Sequence, residues 1–426
     1  MRMGLNLISL KREERPLSPF WLLSILSIGF IGSSFLQYIF HGASFFRGQS
    51  AAIWFTFLFF GISIVLWFFT RRESALSTLG YSLLALLLML WLISIGHDIA
   101  EGGGFNWTAF LTPLMLLMIW SKPPARHTSL RFADFYALTL IATMAVVHIL
   151  SITGLHPYRE EILTRWFPRI PGITNGFRWE GMFGDPNLGG YVGAFLLTYG
   201  LTRSGWKFWL ISLFGLFPLV LSESRAAWLA AVLGVVLAAL GRLLGKRQTA
   251  KVRRITILSG SIAVVIPFAI FLILDPTMNG RTPIWEASFK LLSKNPIFGI
   301  GNSGYSDAAV NGDIPWGNTD SHNLIIDSLV RNGIVAGLLA LAVLVVISIT
   351  VIRVFKIDKG QSTTIWFTFF VGTMTYSVVG WIYIGVQAMP LVISVLFAES
   401  AYLARSKSKE STKKFQVSEN SVHLPG

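Results

Sequence analysis

Apolar stretches of about 18 residues or more recur along the whole 426-residue chain, each long enough to cross a bilayer as a helix. Spans are read at 19–40, 50–70, 76–95, 105–120, 132–152, 187–203, 206–222, 226–243, 255–275, 334–353, 363–384 and 387–404, about twelve in all. The pattern predicts an all-α fold, a polytopic integral membrane helical bundle. Residues 1–18 form an N-terminal segment, 19–404 a single transmembrane domain and 405–426 a polar tail read as disordered. Most connections are short. Two are long, at about 153–186 and about 276–333, and polar segments of that length in a compact bundle are usually functional.

The later segment has readable internal structure. Thr282 offers a helix cap and Pro283 suits the first helical position. The helix they predict runs to about Lys294 and stops at Asn295-Pro296. A glycine-rich turn (FGIGNSGYSD) and a polar stretch (SDAAVNGDIPWGNTD) follow. Asp320 or Ser321 then caps a second short helix that carries His322, and Arg331-Asn332-Gly333 stops it before the tenth span. Two amphipathic helices of this kind would frame a cleft at the outer leaflet.

Charge orients the bundle. The chain is 53% hydrophobic and 13% charged, against about 25% charged in soluble domains. With the N-terminus inside, the inner segments and adjoining helix ends hold 25 Lys/Arg against 8 Asp/Glu, and the outer ones 10 against 13. The positive-inside rule therefore places both termini in the cytoplasm and both long loops outside it. The net charge of +14 reflects this asymmetry rather than a nucleic-acid partner. The basic start of the tail is read as lying near anionic lipid head groups. With no cysteine, the chain has no disulfide, thiolate metal site or cysteine nucleophile. The N-terminal stretch (MRMGLNLISLKREERPLSPF) carries no small-residue cleavage site and is read as a cytoplasmic leader, not a signal peptide. A loop outside the cytoplasm works without ATP or NAD.

Two constellations carry candidate chemistry. The first is His322. A histidine in the first turn of a helix stands at the positive end of its dipole, which favours the neutral ring. A neutral imidazole accepts a proton, as a general base must. Asp320 is the candidate to orient it. The competing reading is a structural histidine at the membrane interface. The second constellation is the outward arginines. Arg281 immediately precedes a helix, Arg225 lies in the turn SESRAAW, and Arg178 lies with Arg159, Arg165 and Arg169 in the earlier loop. Arginine binds phosphate through a planar fork, and a helix N-terminus adds backbone donors. Snorkelling to lipid head groups, or for Arg225 an ion pair with Glu223, is the bland alternative. Gly299-Ile300-Gly301-Asn302-Ser303-Gly304 fits a dinucleotide fingerprint literally. No βαβ unit surrounds it, so it is read as a turn that lets backbone approach a ligand or a neighbouring helix. His97, Asp98 and Glu101 are too few to define a metal site. His148 is read as a packing residue of the fifth span. The lack of paired intramembrane charges and of an inverted repeat disfavours a transporter.

Four pieces in order, EGMFGDPNLGGYV, SESRAAWLA, RTPIWEASFKLLSKNPIFGIGNSGY and DSHNLIIDSLVRNGIVAGLL, resemble the O-antigen ligase and O-antigen polymerase family of bacterial membrane proteins. The likeness is strongest from Ser222 to Gly337. It implies a bundle similar to the C-type glycosyltransferase architecture. It implies a donor, an undecaprenyl-diphosphate-linked glycan, and an acceptor sugar hydroxyl on the outer face. It places the catalytic histidine at His322 and the diphosphate-contacting arginines at Arg225 and Arg281, with Arg178 as a further candidate. It implies no cofactor and no metal. The turn SRAAW departs from the SRGA common in the family but keeps the arginine. The expected activity is polymerisation of a surface glycan or exopolysaccharide, with polysaccharide-assembly proteins as candidate partners. Ligation to lipid A core or another terminal acceptor is the alternative. A solute or inorganic-carbon transporter and a catalytically inactive scaffold are the readings from other classes.

Overall fold

The computed structural model describes residues 17–40, 45–73, 76–100, 114–115, 117–153, 181–183, 186–222, 224, 227–228, 230–232, 234–235, 281–317, 321–355 and 399. Within them the chain is helical, and no strand is present. The principal helices are α1 (Pro19–Phe40), α2 (Phe45–Phe69), α3 (Thr78–Ala100), α4 (Arg126–Thr153), α5 (Pro186–Leu201), α6 (Trp206–Leu221), α7 (Arg281–Lys294), α8 (Gly301–Val310) and α9 (Leu324–Phe355). Helices α1, α2, α3, α4 and α9 each contain a stretch long and apolar enough to cross a membrane, and α6 is a shorter apolar helix. These are the first, second, third, fifth, tenth and seventh of the expected spans. The spans expected at 255–275 and 363–384 lie outside the described residues. An all-helical polytopic membrane protein follows from the described part.

Helix α4 is longer than hydropathy predicted, for an electrostatic reason. Helix α4 begins at Arg126, six residues before the apolar run. Glu73, in the α2–α3 connection, takes hydrogen bonds from Ala125 N (3.0 Å) and Thr128 Oγ1 (2.6 Å). A carboxylate beside a helix N-terminus satisfies orphan donors and suits the dipole. Glu73 also accepts from Ser18 Oγ at 2.9 Å, and Lys122 Nζ donates to the Thr70 carbonyl at 2.6 Å. The segment before α1, the α2–α3 connection and the start of α4 are therefore stitched together at one end of the bundle. Burial pushes the Glu73 carboxyl up. The hydrogen bonds from Thr128, Ala125 and Ser18, with the nearby His127, outweigh burial and hold it below the ordinary carboxylate range.

A second carboxylate works similarly. Asp134, on α4, accepts from Tyr199 Oη at 2.6 Å, Arg203 at 2.9 Å and Lys207 at 2.7 Å, which ties α4 to the α5–α6 turn. Helices α5 and α6 pack closely because small residues face each other. A Cβ at Gly193 would stand 2.6 Å from the backbone nitrogen of Leu219, and one at Gly215 would run into Leu197 N. Small residues at such contacts let membrane helices approach and gain dispersion energy. His148 on α4 meets the edge of Phe217 on α6, ring centres 4.6 Å apart.

The main core gathers α1, α4, α5 and parts of α2, α3 and α6, and Val343 and Ile347 of α9 reach into it. The earlier part of α9 packs through Leu324, Ala336 and Ala340 against Leu90 and Trp91 of α3. Ser77, the residue before α3, bonds through both N and Oγ to Glu399 (2.8 Å each), and Leu324 at the start of α9 packs on the later half of α3. The polar unit that precedes α9 consequently sits toward the far end of α3, away from the Glu73 stitch.

Candidate functional site

The unit from Arg281 to Gly333 has a small core of its own. Ile284 and Leu291 of α7, Tyr305, Ala308 and Ala309 of α8, then Ile314 and Val330, pack together. On α7 the buried positions are Ile284, Ser288 and Leu291, one stripe at helical spacing, while Glu286, Phe289 and Lys290 are exposed. Helix α7 ends at Lys294, as expected, and starts one residue before the proposed Thr282 cap. The glycine-rich stretch departs from expectation: Gly301–Val310 is helix α8, not a turn. Burial of Tyr305, Ala308 and Ala309 outweighs the cost of glycine in a helix, about 1 kcal/mol each.

The turn between α7 and α8 enters α9 at a break. At Gly333 the helix adopts φ 77° and ψ −175°. In an unbroken helix Ile334 N would donate to the Val330 carbonyl. Instead Ile334 N donates to Pro296 O at 3.0 Å, and the Val330 carbonyl accepts from Ile300 N at 2.9 Å. The turn thus takes over both halves of the missing helical bond, so neither Ile334 N nor the Val330 carbonyl is orphaned. Only glycine fits there: the φ is left-handed and a Cβ would run into the Ile297 carbonyl oxygen. Gly299, at φ 76°, is the matching residue on the turn, since its Cβ would stand 2.5 Å from the Arg331 carbonyl. The glycine motif therefore serves approach to a neighbouring helix.

His322 lies elsewhere than the sequence suggested. The cap of the following helix is Asn323, whose Oδ1 accepts from Ile325 N (3.0 Å) and Ile326 N (3.2 Å). His322 precedes that cap and so is outside the first turn. It is half-buried, and its φ of +50° is the only positive φ of a non-glycine residue among the described residues. The left-handed region costs a residue with a Cβ of order 1 kcal/mol, and such residues concentrate at functional sites. The helix that Asn323 caps is also not short: it continues past the Gly333 break to Phe355.

The conformation is held from both sides. Ser321 is fully buried. Its N donates to Asp327 Oδ1 at 3.2 Å, and its carbonyl accepts from Trp285 Nε1 at 2.9 Å. Its hydroxyl lies 3.1 Å from the Asn323 carbonyl and 3.3 Å from Asp327 Oδ1, and donates to one at a time. Trp285 is one turn beyond Arg281 on α7, so the two share a face. The face of α7 that Arg281 heads is thereby fastened beside His322. Arg281 is half-buried and forms the first residue of the helix.

Beneath Ser321 sits a buried charge pair. Arg331 Nε is 3.0 Å from Asp327 Oδ2, with side chains 4% and 0% exposed. It is an ion pair by distance; the Nε–H is not directed along it as a hydrogen bond. Arg331 also donates to Asn302 Oδ1 at 2.7 Å and lies 4.4 Å above the Tyr305 ring. Tyr305 Oη is 3.2 Å from Ser288 Oγ. Arg331 therefore links α9 to α8, and Tyr305 carries the connection on to α7.

The segment from α6 to the middle of α9 decides the relationship. Residues 210–341 match the family model described as O-antigen ligase. Through this segment the chain is similar to the O-antigen ligase family. No curated protein matches the chain. The matched residues include Arg225, Arg281, Asp320 and His322, whereas Arg178 lies outside them. Together with the five described helices long and apolar enough to cross a membrane, this likeness supports an integral membrane protein. Of the expected site residues, Arg281 and His322 are described and lie on adjoining elements. Arg178, Arg225 and Asp320 lie outside the described residues. The sequence reading took Ser321 only as a cap candidate and gave no site role to Trp285, Asn323, Asp327 or Arg331. For the last two a signal existed, an acid four residues before a base on a helix.

Proposed function

We propose that this chain transfers an undecaprenyl-diphosphate-linked glycan to an acceptor sugar hydroxyl on the extracytoplasmic face of the bacterial inner membrane. It acts as an O-antigen, surface-polysaccharide or exopolysaccharide polymerase. The observation that carries the reading is His322, held in a left-handed turn beside the face of α7 that Arg281 heads. In this reading His322 accepts the proton of the acceptor hydroxyl. The hydroxyl oxygen bonds to the anomeric carbon as the bond from that carbon to the diphosphate oxygen breaks. Undecaprenyl diphosphate leaves, and the anomeric centre inverts. Arg281, Arg225 and Arg178 hold the diphosphate and offset the charge that grows on it, so the step calls for no divalent metal. Asp320 orients the imidazole. Both termini lie in the cytoplasm, and the polyprenyl tail stays between spans.

Ligation is the second reading, favoured by the description of the matching family as O-antigen ligase. The same chemistry then ends on lipid A core or another terminal acceptor. Purified protein supplied with a lipid-diphosphate glycan separates the two. A ladder of products marks a polymerase, and a single transfer to a core acceptor marks a ligase. Absence of any transfer, or full activity in His322→Ala, would remove the proposal or the role given to His322.

A further inference from the structure

The geometry points to Asp327 and Arg331 as positioning residues for His322, a role that rests on the glycan-transfer reading above. Their placement is hard to explain by stability alone. Replacing a fully buried ion pair by apolar groups of similar volume is often neutral or stabilising. Here the carboxylate is divided between two tasks. Oδ2 faces Arg331, and Oδ1 reaches back to Ser321 N and lies beside its hydroxyl. An acidic residue in an ordinary capping box satisfies the N–H of the cap residue itself. Asp327 instead reaches two residues ahead of the Asn323 cap, so its bond spans His322. With Ser321 held at one side and Asn323 fixed as cap at the other, the chain between them takes the left-handed turn.

Arg331 fixes the carboxylate in turn. Its guanidinium is held by Asn302 and by the Tyr305 face, so it cannot follow a displaced Asp327 without giving up both. The pair is therefore a rigid support under the histidine turn, not a contact to substrate. Supporting groups of this kind keep a catalytic side chain in productive geometry, where a displacement near 1 Å costs about 100-fold in rate.

The test uses the full-length protein in detergent or nanodiscs. The double variant Asp327→Ala with Arg331→Met removes both charges together, leaving neither one buried alone. It should remain monodisperse and folded, melting somewhat below the parent because Ser321 N loses its acceptor. Its kcat should fall at least tenfold with KM for the lipid-linked donor within about threefold. In a His322→Asn background the same pair of substitutions should cause no further loss. Labelling by diethyl pyrocarbonate, mapped by mass spectrometry, reads the position of His322 without turnover. Its rate at His322 should change severalfold in the double variant while the rate at His127 stays constant. An unchanged labelling rate in a folded double variant overturns the inference, as does a loss that simply adds to that of His322→Asn. A parent protein that transfers no glycan but shows the labelling change refutes the glycan-transfer reading and leaves the support of His322 standing.

Discussion

The indole Nε1 of Trp285 donates to the Ser321 carbonyl at 2.9 Å, fastening the first turns of α7 to the residue before His322. Replacing Trp285 by Phe keeps most of the packing and removes the donor, leaving a buried carbonyl unsatisfied. The loss of about 1 kcal/mol corresponds to about fivefold in rate if the bond positions the site. Glycan transfer by Trp285→Phe should fall by about that factor. Wild-type turnover in the folded variant would show that α7 and the histidine turn need no such tie.

The left-handed backbone of His322 predicts a conflict between stability and activity. Glycine adopts φ +50° freely, and asparagine tolerates it better than alanine. His322→Gly should melt above the parent, a gain of about 1 kcal/mol, and His322→Asn should melt near it. Both should lose transfer by about 100-fold or more, the usual scale for a missing acid-base group. A His322→Gly protein that melts below the parent would contradict the strained backbone. One that keeps its activity would contradict the chemistry.

Gly333 carries the interruption of α9. Gly333→Ala places a methyl against the Ile297 carbonyl and strains a φ of 77°. A destabilisation of about 2 kcal/mol or more is expected, with the α7–α8 turn displaced. Limited proteolysis between Asn295 and Gly301 should quicken in the variant, and a cleavage rate equal to that of the parent would refute the docking described.

Glu73 sets a pH dependence at the opposite end of the bundle. Its carboxyl is held below the ordinary range, so its contribution to stability is complete above that range. The contribution is lost as pH falls through the lowered value. Compared with the parent, Glu73→Gln should melt lower near neutral pH, and the gap should close in acid. Melting curves in a pH series check this; a gap that widens in acid would have the wrong sign.

Local signals were legible, and distant ones were not. The span positions came from apolar runs, and the limits of α7 from Thr282-Pro283 and Asn295-Pro296, signals that act within a few residues. The cap before α9 was misplaced because Asp320, Ser321 and Asn323 all suit the role. The choice among them is made by Asp327 and Trp285, six and thirty-six residues from Ser321. Helix α8 was hidden by Gly301 and Gly304, whose weak propensity is overruled by packing of Tyr305 that no local pattern announces. Arg331 looked like a stop signal at a helix end, and its burial between Asp327, Asn302 and Tyr305 depends on the fold of three helices.

The break at Gly333 leaves the helical turns that follow His322 and a membrane span in one element, α9, with the α7–α8 turn filling the gap between its two parts. A surface loop joined by slack connectors can be exchanged between homologues as a cassette. This one cannot be cut at the membrane boundary, because the boundary runs through a shared set of backbone bonds. Chimeras with homologues should therefore carry residues 281–355 as one piece, since a junction placed between 323 and 331 would separate the histidine from Asp327 or Arg331.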